Sequence, residues 1–354
     1  MTKLIIQIPC WNEEDQLPVT LAALPRSLPG IDVVEWLIID DGSTDQTVEV
    51  ALSLGVDHVV RLTNHKGLAH AFQAGIDACL KLGADVIVNT DADNQYCADD
   101  IGVLVAPVLE GTADMVVGDR RVDDIAHFSW MKKRLQHLGS WVARGVSRTN
   151  VADATSGFRA YSRQAAQALT VVTSFTYTLE TLIQAGRSDL AVVDVPVRTN
   201  PEVLRESRLF GSTWGYVRRN SLSMVRIYTT YRPLRVFSIL AAILAVGALV
   251  AWAPFLFDWI IRGDRSGRIQ SVILGAVLII ASLQVFALGV IADLIATQRT
   301  LAQRTLERVR GIELRVGVPP SHYEPGRGQS VHKAVEGLEV DLSQRPETAA
   351  SVDN

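Results

Sequence analysis

The chain has 354 residues, 34 Lys and Arg against 38 Asp and Glu, a formal net charge of −4, and 48% apolar residues. Its length exceeds one average domain and allows a full core, while the acidic balance excludes the basic footprint of a nucleic-acid binder. The three cysteines, Cys10, Cys79 and Cys97, lack C-x-x-C spacing, which excludes a zinc site and a disulfide framework and suits reduced thiols facing a cytosol.

The first apolar run, Leu4 to Ile8, is too short for a signal-peptide core and reads as a buried strand over Lys3–Ile8, stopped by Pro9. Asn12-Glu13-Glu14-Asp15 then opens a helix, with acidic residues where the helix dipole favours them. A second strand, Val33–Ile39, ends in Asp40-Asp41-Gly42-Ser43-Thr44-Asp45. The glycine permits a tight turn, and Asp45 or Ser43 caps a helix running through Leu54. Val56–Arg61 reads as a third strand, Gly67–Leu82 as a helix and Asp85–Thr90 as a fourth strand. Strand and helix alternating at this spacing predict an α/β fold with a mostly parallel sheet and right-handed crossovers. Neither G-x-G-x-x-G nor G-x-x-x-x-G-K-S/T occurs, so a dinucleotide fingerprint and a P-loop are both excluded.

Further along, the pattern predicts a helix over Asp99–Glu110 and a strand over Met115–Gly118 leading into Asp119-Arg120-Arg121. A basic helix over Trp130–Ser147 follows, then a strand over Ser156–Tyr161 and helices over Gln164–Leu169 and Thr178–Ala185. A last strand covers Leu190–Val197, and the α/β domain is expected to occupy residues 1–210.

Residues 211–235 interleave arginines with tyrosines, as an interfacial helix does. Two apolar stretches come next. Val236–Ile261 carries one charge, Asp258, and Ile269–Ile291 carries none; roughly 20 such residues cross a bilayer. Arg218, Arg219, Arg226, Arg232 and Arg235 before the spans and Arg299, Arg304, Arg308 and Arg310 after them outnumber the arginines of the Arg262–Arg268 hairpin. The positive-inside rule then predicts a two-span protein of the cell membrane with the α/β domain and both termini in the cytoplasm. A charged helix is expected over 292–316. The remainder, 317–354, is too rich in Pro, Gly, Ser and Glu to fold alone.

The stretch Val86-Ile87-Val88-Asn89-Thr90-Asp91-Ala92-Asp93-Asn94-Gln95 organises the rest. Residues two apart on a strand share a face, so Asp91 and Asp93 are expected to aim two carboxylates beyond a strand end, where open parallel sheets bind ligands. Two carboxylates suit Mg²⁺, which takes its other oxygens from phosphate and water. The alternative is a polar turn, where Asp and Asn are common. Four polar clusters fall at successive strand ends: Pro9–Glu13, Asp40–Asp45, Asn64–Gly67 and Asp91–Gln95.

These segments, Pro9-Cys10-Trp11-Asn12-Glu13, Asp40-Asp41-Gly42-Ser43-Thr44-Asp45, Asn64-His65-Lys66-Gly67 and Asp91-Ala92-Asp93-Asn94-Gln95, resemble the family 2 glycosyltransferases of the GT-A fold. Asp153-Ala154-Thr155-Ser156-Gly157-Phe158-Arg159 resembles that family's acceptor-side segment. Glu206-Ser207-Arg208-Leu209 resembles a segment of dolichyl-phosphate mannose synthases, with arginine at 208 where lysine is often seen. With two spans after it, the resemblance narrows to the polyisoprenyl-phosphate glycosyltransferases. It implies that Pro9, Trp11, Glu13, Asp40, Asp41, Lys66 and Asp91 hold a nucleotide sugar, UDP- or GDP-linked. It also implies that Asp91, Asp93 and Gln95 bind Mg²⁺ or Mn²⁺. The implied reaction is an inverting transfer of a hexose to polyprenyl phosphate at the cytoplasmic membrane face.

Because a lipid phosphate is already anionic near neutral pH, no strong base is required, only cations to position it. Arg120, Arg134, Arg159, Arg205, Ser207 and Arg208 are the candidates, with Arg208 counted alongside Asp91 and Asp93 as catalytic. Glu180 sits where related enzymes with hydroxyl acceptors carry a base; the plainer reading is a solvated helix glutamate. A hydroxyl acceptor and a non-catalytic membrane adaptor are the rival functions. The expected partners are nucleotide sugar, polyprenyl phosphate and the bilayer, with homo-oligomerisation left open.

Overall fold

The computed structural model describes residues 1–121, 144–145, 147, 149–171, 177–200, 226, 228–257, 259–260 and 269–326. Aliphatic residues on both faces make β1 (Lys3–Cys10) a strand buried from Leu4 onward. It pairs in parallel with β2 (Val33–Asp40) on one flank and β4 (Val86–Asn89) on the other, and β3 (His58–Arg61) pairs in parallel with β2. The crossovers carry α1 (Leu17–Ala23), α2 (Thr47–Ser53) and α3 (Leu68–Lys81). Beyond β4 a 3₁₀ turn, Ala98–Asp100, runs into α4 (Ile101–Leu109). Then come β5 (Met115–Asp119), β6 (Arg159–Ser162), α5 (Arg163–Ala168), α6 (Tyr177–Arg187) and β7 (Val192–Pro196). Two long helices, α7 (Pro233–Phe257) and α8 (Ile269–Val316), precede a short strand, β8 (Tyr323–Pro325).

Among the described residues the sheet order is β7-β5-β6-β4-β1-β2-β3-β8. β6 runs antiparallel between β4 and β5, and β8 is antiparallel to β3. Side chains alternate faces along each strand. Ile5, Leu37, Ile39, Ile87 and Val117 face α3, α5 and α6, while Leu4, Ile6, Ile8, Ile38 and Val88 face α1, α2 and α4. Cover on both faces explains the near-continuous apolar runs in the parallel strands.

Several expectations are corrected. β1 does not stop at Pro9 but continues to Cys10. β4 pairs only with Leu4–Gln7, so Pro9 lies past the last rung on that flank, where a missing N–H is tolerated. Asn12–Asp15 is a loop rather than a helix start, because the Asn12, Glu13 and Glu14 N–H groups donate to Ser43, Thr47 and Asp45 across the crevice. The third strand begins at His58 and the strand after residue 150 at Arg159. The second apolar stretch and the charged helix after it form one 48-residue helix, about 72 Å long at 1.5 Å per residue. Residues 317–326, expected to be unfolded, carry β8. The open edge of β3 supplies its ladder, and the Tyr323 hydroxyl meets His58 Nδ1 at 3.0 Å. The Trp130–Ser147 helix and the 211–235 segment fall largely outside the described residues. The domain boundary at 210, the hairpin and the tail after 326 fall wholly outside them.

By length and composition α7 and α8 are each able to cross a membrane. Their large apolar side chains point outward: Val250 is 67% exposed and Leu283 69%. Such a surface suits lipid, since contiguous exposed apolar patches of this kind are rare in water.

Candidate active site

Parallel pairing sets Cys10 beside Asp40 and Gln7 beside Asn89, so β1, β2 and β4 deliver their loops to one edge. There the loops are tied to one another through side chains. Ser43 Oγ accepts the Asn12 N–H at 2.9 Å, and Asn12 Oδ1 accepts the Thr44 N–H at 2.8 Å. Asp41, buried, accepts the Lys66 and Gly67 N–H groups at 2.8 Å each and faces His65 Nδ1 at 2.9 Å. Gly42 has φ +72°, and a Cβ there would meet the Asn64 carbonyl carbon at 2.6 Å, so this turn requires glycine. Trp11, 39% exposed, stacks on His65 with ring centroids 4.2 Å apart. The result is a flat aromatic shelf exposed at this edge.

Asp40 accepts the Ser43 N–H at 2.9 Å, with Arg61 Nε at 3.7 Å from its other oxygen. Pro9 is buried in β1, Glu13 lies half-buried in the first loop, and the Lys66 side chain is exposed at the rim. These nucleotide candidates do share one edge. Asp41 differs from the simple ligand expected, because both its oxygens hold the 65–67 loop.

Asp91 and Asp93 lie beyond the end of β4, in a turn where Asn94 has φ 52° and Asp93 Oδ1 accepts the Gln95 N–H at 3.1 Å. They approach through this turn, not through strand alternation as expected. The Asn200 side-chain amide donates to the Asn94 and Tyr96 carbonyls and its backbone N–H to the Gln95 carbonyl, fixing the loop from the far side. Burial, followed by the charge of Asp93, raises the Asp91 pKa to about 7, against the counter-pull of Arg120. Two carboxyls that resist joint ionisation are a donor set completed by a cation. Among the described residues no three His, Cys, Asp or Glu side chains converge as a metal-ligand group. A pair therefore fits a hard ion that brings phosphate and water oxygens with it.

Behind the pair lies a buried polar ladder that sequence reading missed. Gln7 Nε2 donates to Asn89 Oδ1, and Asn89 Nδ2 donates to the Gly157 carbonyl and the Tyr177 hydroxyl. The Tyr96 hydroxyl accepts the Gly157 N–H at 3.0 Å, and burial pushes it up to about 12, so it stays neutral. A Cβ on Gly157 would meet Tyr177 Oη at 2.8 Å and the Asp91 oxygens at 3.1 and 3.2 Å. Contact, not φ, forces glycine here. The available signal was Gln7 and Asn89, two amides inside apolar strands.

Two proposed phosphate ligands are placed otherwise. Arg159 is fully buried and donates to the carbonyls of Ala154, Ser156 and Thr178 and to Thr181 Oγ1. It staples the 154–159 segment to α6 and cannot meet a lipid. Arg120 is clamped by Asp153 at 2.6 and 3.1 Å and by Thr155 at 2.9 Å. Burial opposes its charge, but Tyr96 and Asp153 outweigh that and raise its pKa. Its charge stands behind the carboxylates. Glu180 is not a solvated helix glutamate: it is buried and paired with Arg299 of α8 at 2.6 Å. Arg134, Arg205, Ser207 and Arg208 lie outside the described residues.

The glycosyl transferase family 2 model matches residues 5–170, which include the loops carrying Trp11, Asp40, Lys66 and Asp91. An undecaprenyl-phosphate mannosyltransferase of Micrococcus luteus is 30% identical over 223 residues, covering 60% of this chain and 90% of that protein. The chain belongs to glycosyl transferase family 2. This glycosyltransferase is also 28% identical over 221 residues to the polyprenol monophosphomannose synthase of Mycolicibacterium smegmatis, covering 59% of the chain and 82% of the relative. A similar solved structure is glucosyl-3-phosphoglycerate synthase from Mycobacterium tuberculosis, in complex with Mn²⁺, UDP and glucosyl-3-phosphoglycerate. It is 22% identical, with a TM-score of 0.48, over 63% of this chain and 80% of that one. The GT-A-like α/β fold with two apolar helices after it agrees with the architecture expected from sequence.

Proposed function

We propose that this glycosyltransferase moves a hexose from a UDP- or GDP-linked sugar to polyprenyl phosphate, with inversion, at the cytoplasmic face of the cell membrane. One observation carries the reading: a desolvated carboxylate pair at the donor edge and two outward-facing apolar helices belong to the same chain. Relatives named for undecaprenyl-phosphate mannosyl transfer and polyprenol monophosphomannose synthesis support the lipid phosphate, and make mannose the first sugar to test.

In this reading the Trp11–His65 shelf and Asp40 receive the base and ribose, while Asp41 holds the 65–67 loop that presents Lys66. Asp91 and Asp93, with Gln95 beside them, hold Mg²⁺ or Mn²⁺ on the diphosphate; when bound, the ion neutralises charge on the leaving group. Arg120 supplies a fixed positive charge close to Asp91. Arg205, Ser207 and Arg208 are assigned to the acceptor phosphate from the sequence. A phosphate nucleophile is already anionic and needs no base, and the engagement of Glu180 by Arg299 disfavours a hydroxyl acceptor. The excess of arginines flanking the two spans supports a cytoplasmic catalytic domain.

The test is transfer of radiolabelled sugar from a panel of UDP- and GDP-sugars by the purified enzyme in vesicles holding polyprenyl phosphate. Label should enter the organic phase, in the anomer opposite to the donor, and EDTA should stop it. Label appearing only in water-soluble product or polymer overturns the acceptor.

A further inference from the structure

The relatives above account for about 60% of this chain, which leaves the role of its post-span segment open. That segment touches the catalytic domain through a buried ion pair. Glu180 on α6 is 3% exposed, and Arg299, on the part of α8 beyond its apolar stretch, reaches it at 2.6 Å. The Arg299 guanidinium also lies 5.1 Å from the Tyr231 ring, as does that of Arg187 on α6. Arg187 donates to the Tyr231 carbonyl, two residues before α7 begins. Both apolar helices are therefore gripped by one catalytic-domain helix.

α6 is joined just as firmly to the active site. Arg159 ties Thr178 and Thr181 to the carbonyls of Ala154 and Ser156, and Tyr177 meets Asn89 beside the Asp91 turn. Packed side chains thus run without a break from the carboxylate pair through Gly157 and α6 to the helix that enters the membrane. A lipid phosphate is confined to the headgroup plane, so the height of the reacting edge above that plane decides whether the two meet. Misplacement of reacting groups by about 1 Å costs on the order of 100-fold in rate.

We propose that Glu180 and Arg299 form a positioning pair that fixes the acceptor side of the active site at the height of the lipid phosphate. This rests on the lipid-phosphate reading above. Neither residue takes part in the chemistry; both act through α6.

Two measurements test it. In vesicles, Glu180→Gln should lower kcat/KM for long-chain polyprenyl phosphate by about 10–100-fold. The KM for nucleotide sugar, and kcat/KM for a short, water-soluble prenyl phosphate, should stay unchanged. Arg299→Lys should retain most of the activity. The double variant Glu180→Gln, Arg299→Gln leaves no buried charge alone and should show the same split between acceptors. Equal losses on both acceptors, or no loss on either, overturn the proposal. The second measurement needs no turnover. In a Cys97→Ser background, spin labels at Val103→Cys on α4 and Leu301→Cys on α8, both exposed positions, should give a narrow distance distribution in nanodiscs that Glu180→Gln broadens. An unchanged distribution also overturns it. Should the unmodified enzyme accept no prenyl phosphate, the function falls while the label distances still decide whether the pair holds the two parts together.

Discussion

The side proposed to bind the sugar donor is held by short-range ties from acidic and hydroxyl side chains to backbone N–H groups, as between Asp41 and the 66–67 amides or Ser43 and Asn12. The side proposed to face the acceptor is held by two buried arginines, with Arg120 clamping Asp153 and Arg159 collecting three carbonyls. The difference lies in what fails when one tie is cut. A loop amide that loses its partner can turn to water at the rim. Carbonyls grouped around a buried guanidinium have nowhere to turn, and each unsatisfied one costs about 1–3 kcal/mol.

Replacing a carboxylate of the pair should separate activity from stability most widely. Asp93→Ala is expected to lower kcat by about 10²–10³-fold, the scale of losing one preorganised electrostatic contact. Its melting temperature should hold or rise, because the variant removes repulsion against the desolvated Asp91. A fall in both together would mean the pair is structural.

Arg159→Met should do the opposite. It is expected to destabilise the fold by at least about 3 kcal/mol, from several lost buried bonds to a charged group, read by denaturant titration. Nucleoside diphosphate affinity in the protein that remains folded should persist. Donor affinity lost in proportion to stability would show that the two sides are not separately built.

Asp41→Asn tests the donor ties. An amide offers one oxygen to two N–H groups, so nucleotide affinity should weaken by about tenfold, the scale of one charge-assisted bond, by calorimetry. The lipid KM should not move.

The gentlest probe is pH. The Asp91 carboxyl is raised to about 7 from an unfolded value near 4, so the folded state binds the extra proton. Its contribution to stability is thus present at low pH and is lost as pH rises through about 4–7. A bound cation must displace that proton, so metal affinity should climb by up to about tenfold per pH unit below 7 and level off above it. A flat profile would place the metal elsewhere.

The same contrast decided what the sequence could tell. The donor edge was legible because parallel α/β units send each loop to a known edge, so Asp40, Asp41, Lys66 and Asp91 could be grouped before any coordinates. The strands β1 to β4 followed from apolar runs within about two residues. The acceptor side was not legible. Arginine is normally a surface residue, so Arg159 looked like a ligand while its bonds made it a staple. The Glu180–Arg299 pair joins positions 119 apart across two apolar helices, and no local pattern announces it. β8 follows two helices, one leading away from the domain and one returning to it, so a three-residue strand with no hairpin partner gave no signal.

The most direct measurement of the carboxylate site is Mn²⁺ binding followed by electron paramagnetic resonance of the free ion, with UDP or GDP present. The native chain should take up one Mn²⁺ in the presence of its matching nucleotide, and Asp91→Asn and Asp93→Ala should each abolish that uptake. Unchanged stoichiometry in the variants, or no uptake by the native chain with either nucleotide, would contradict the assignment of Asp91 and Asp93 as the metal-bearing centre.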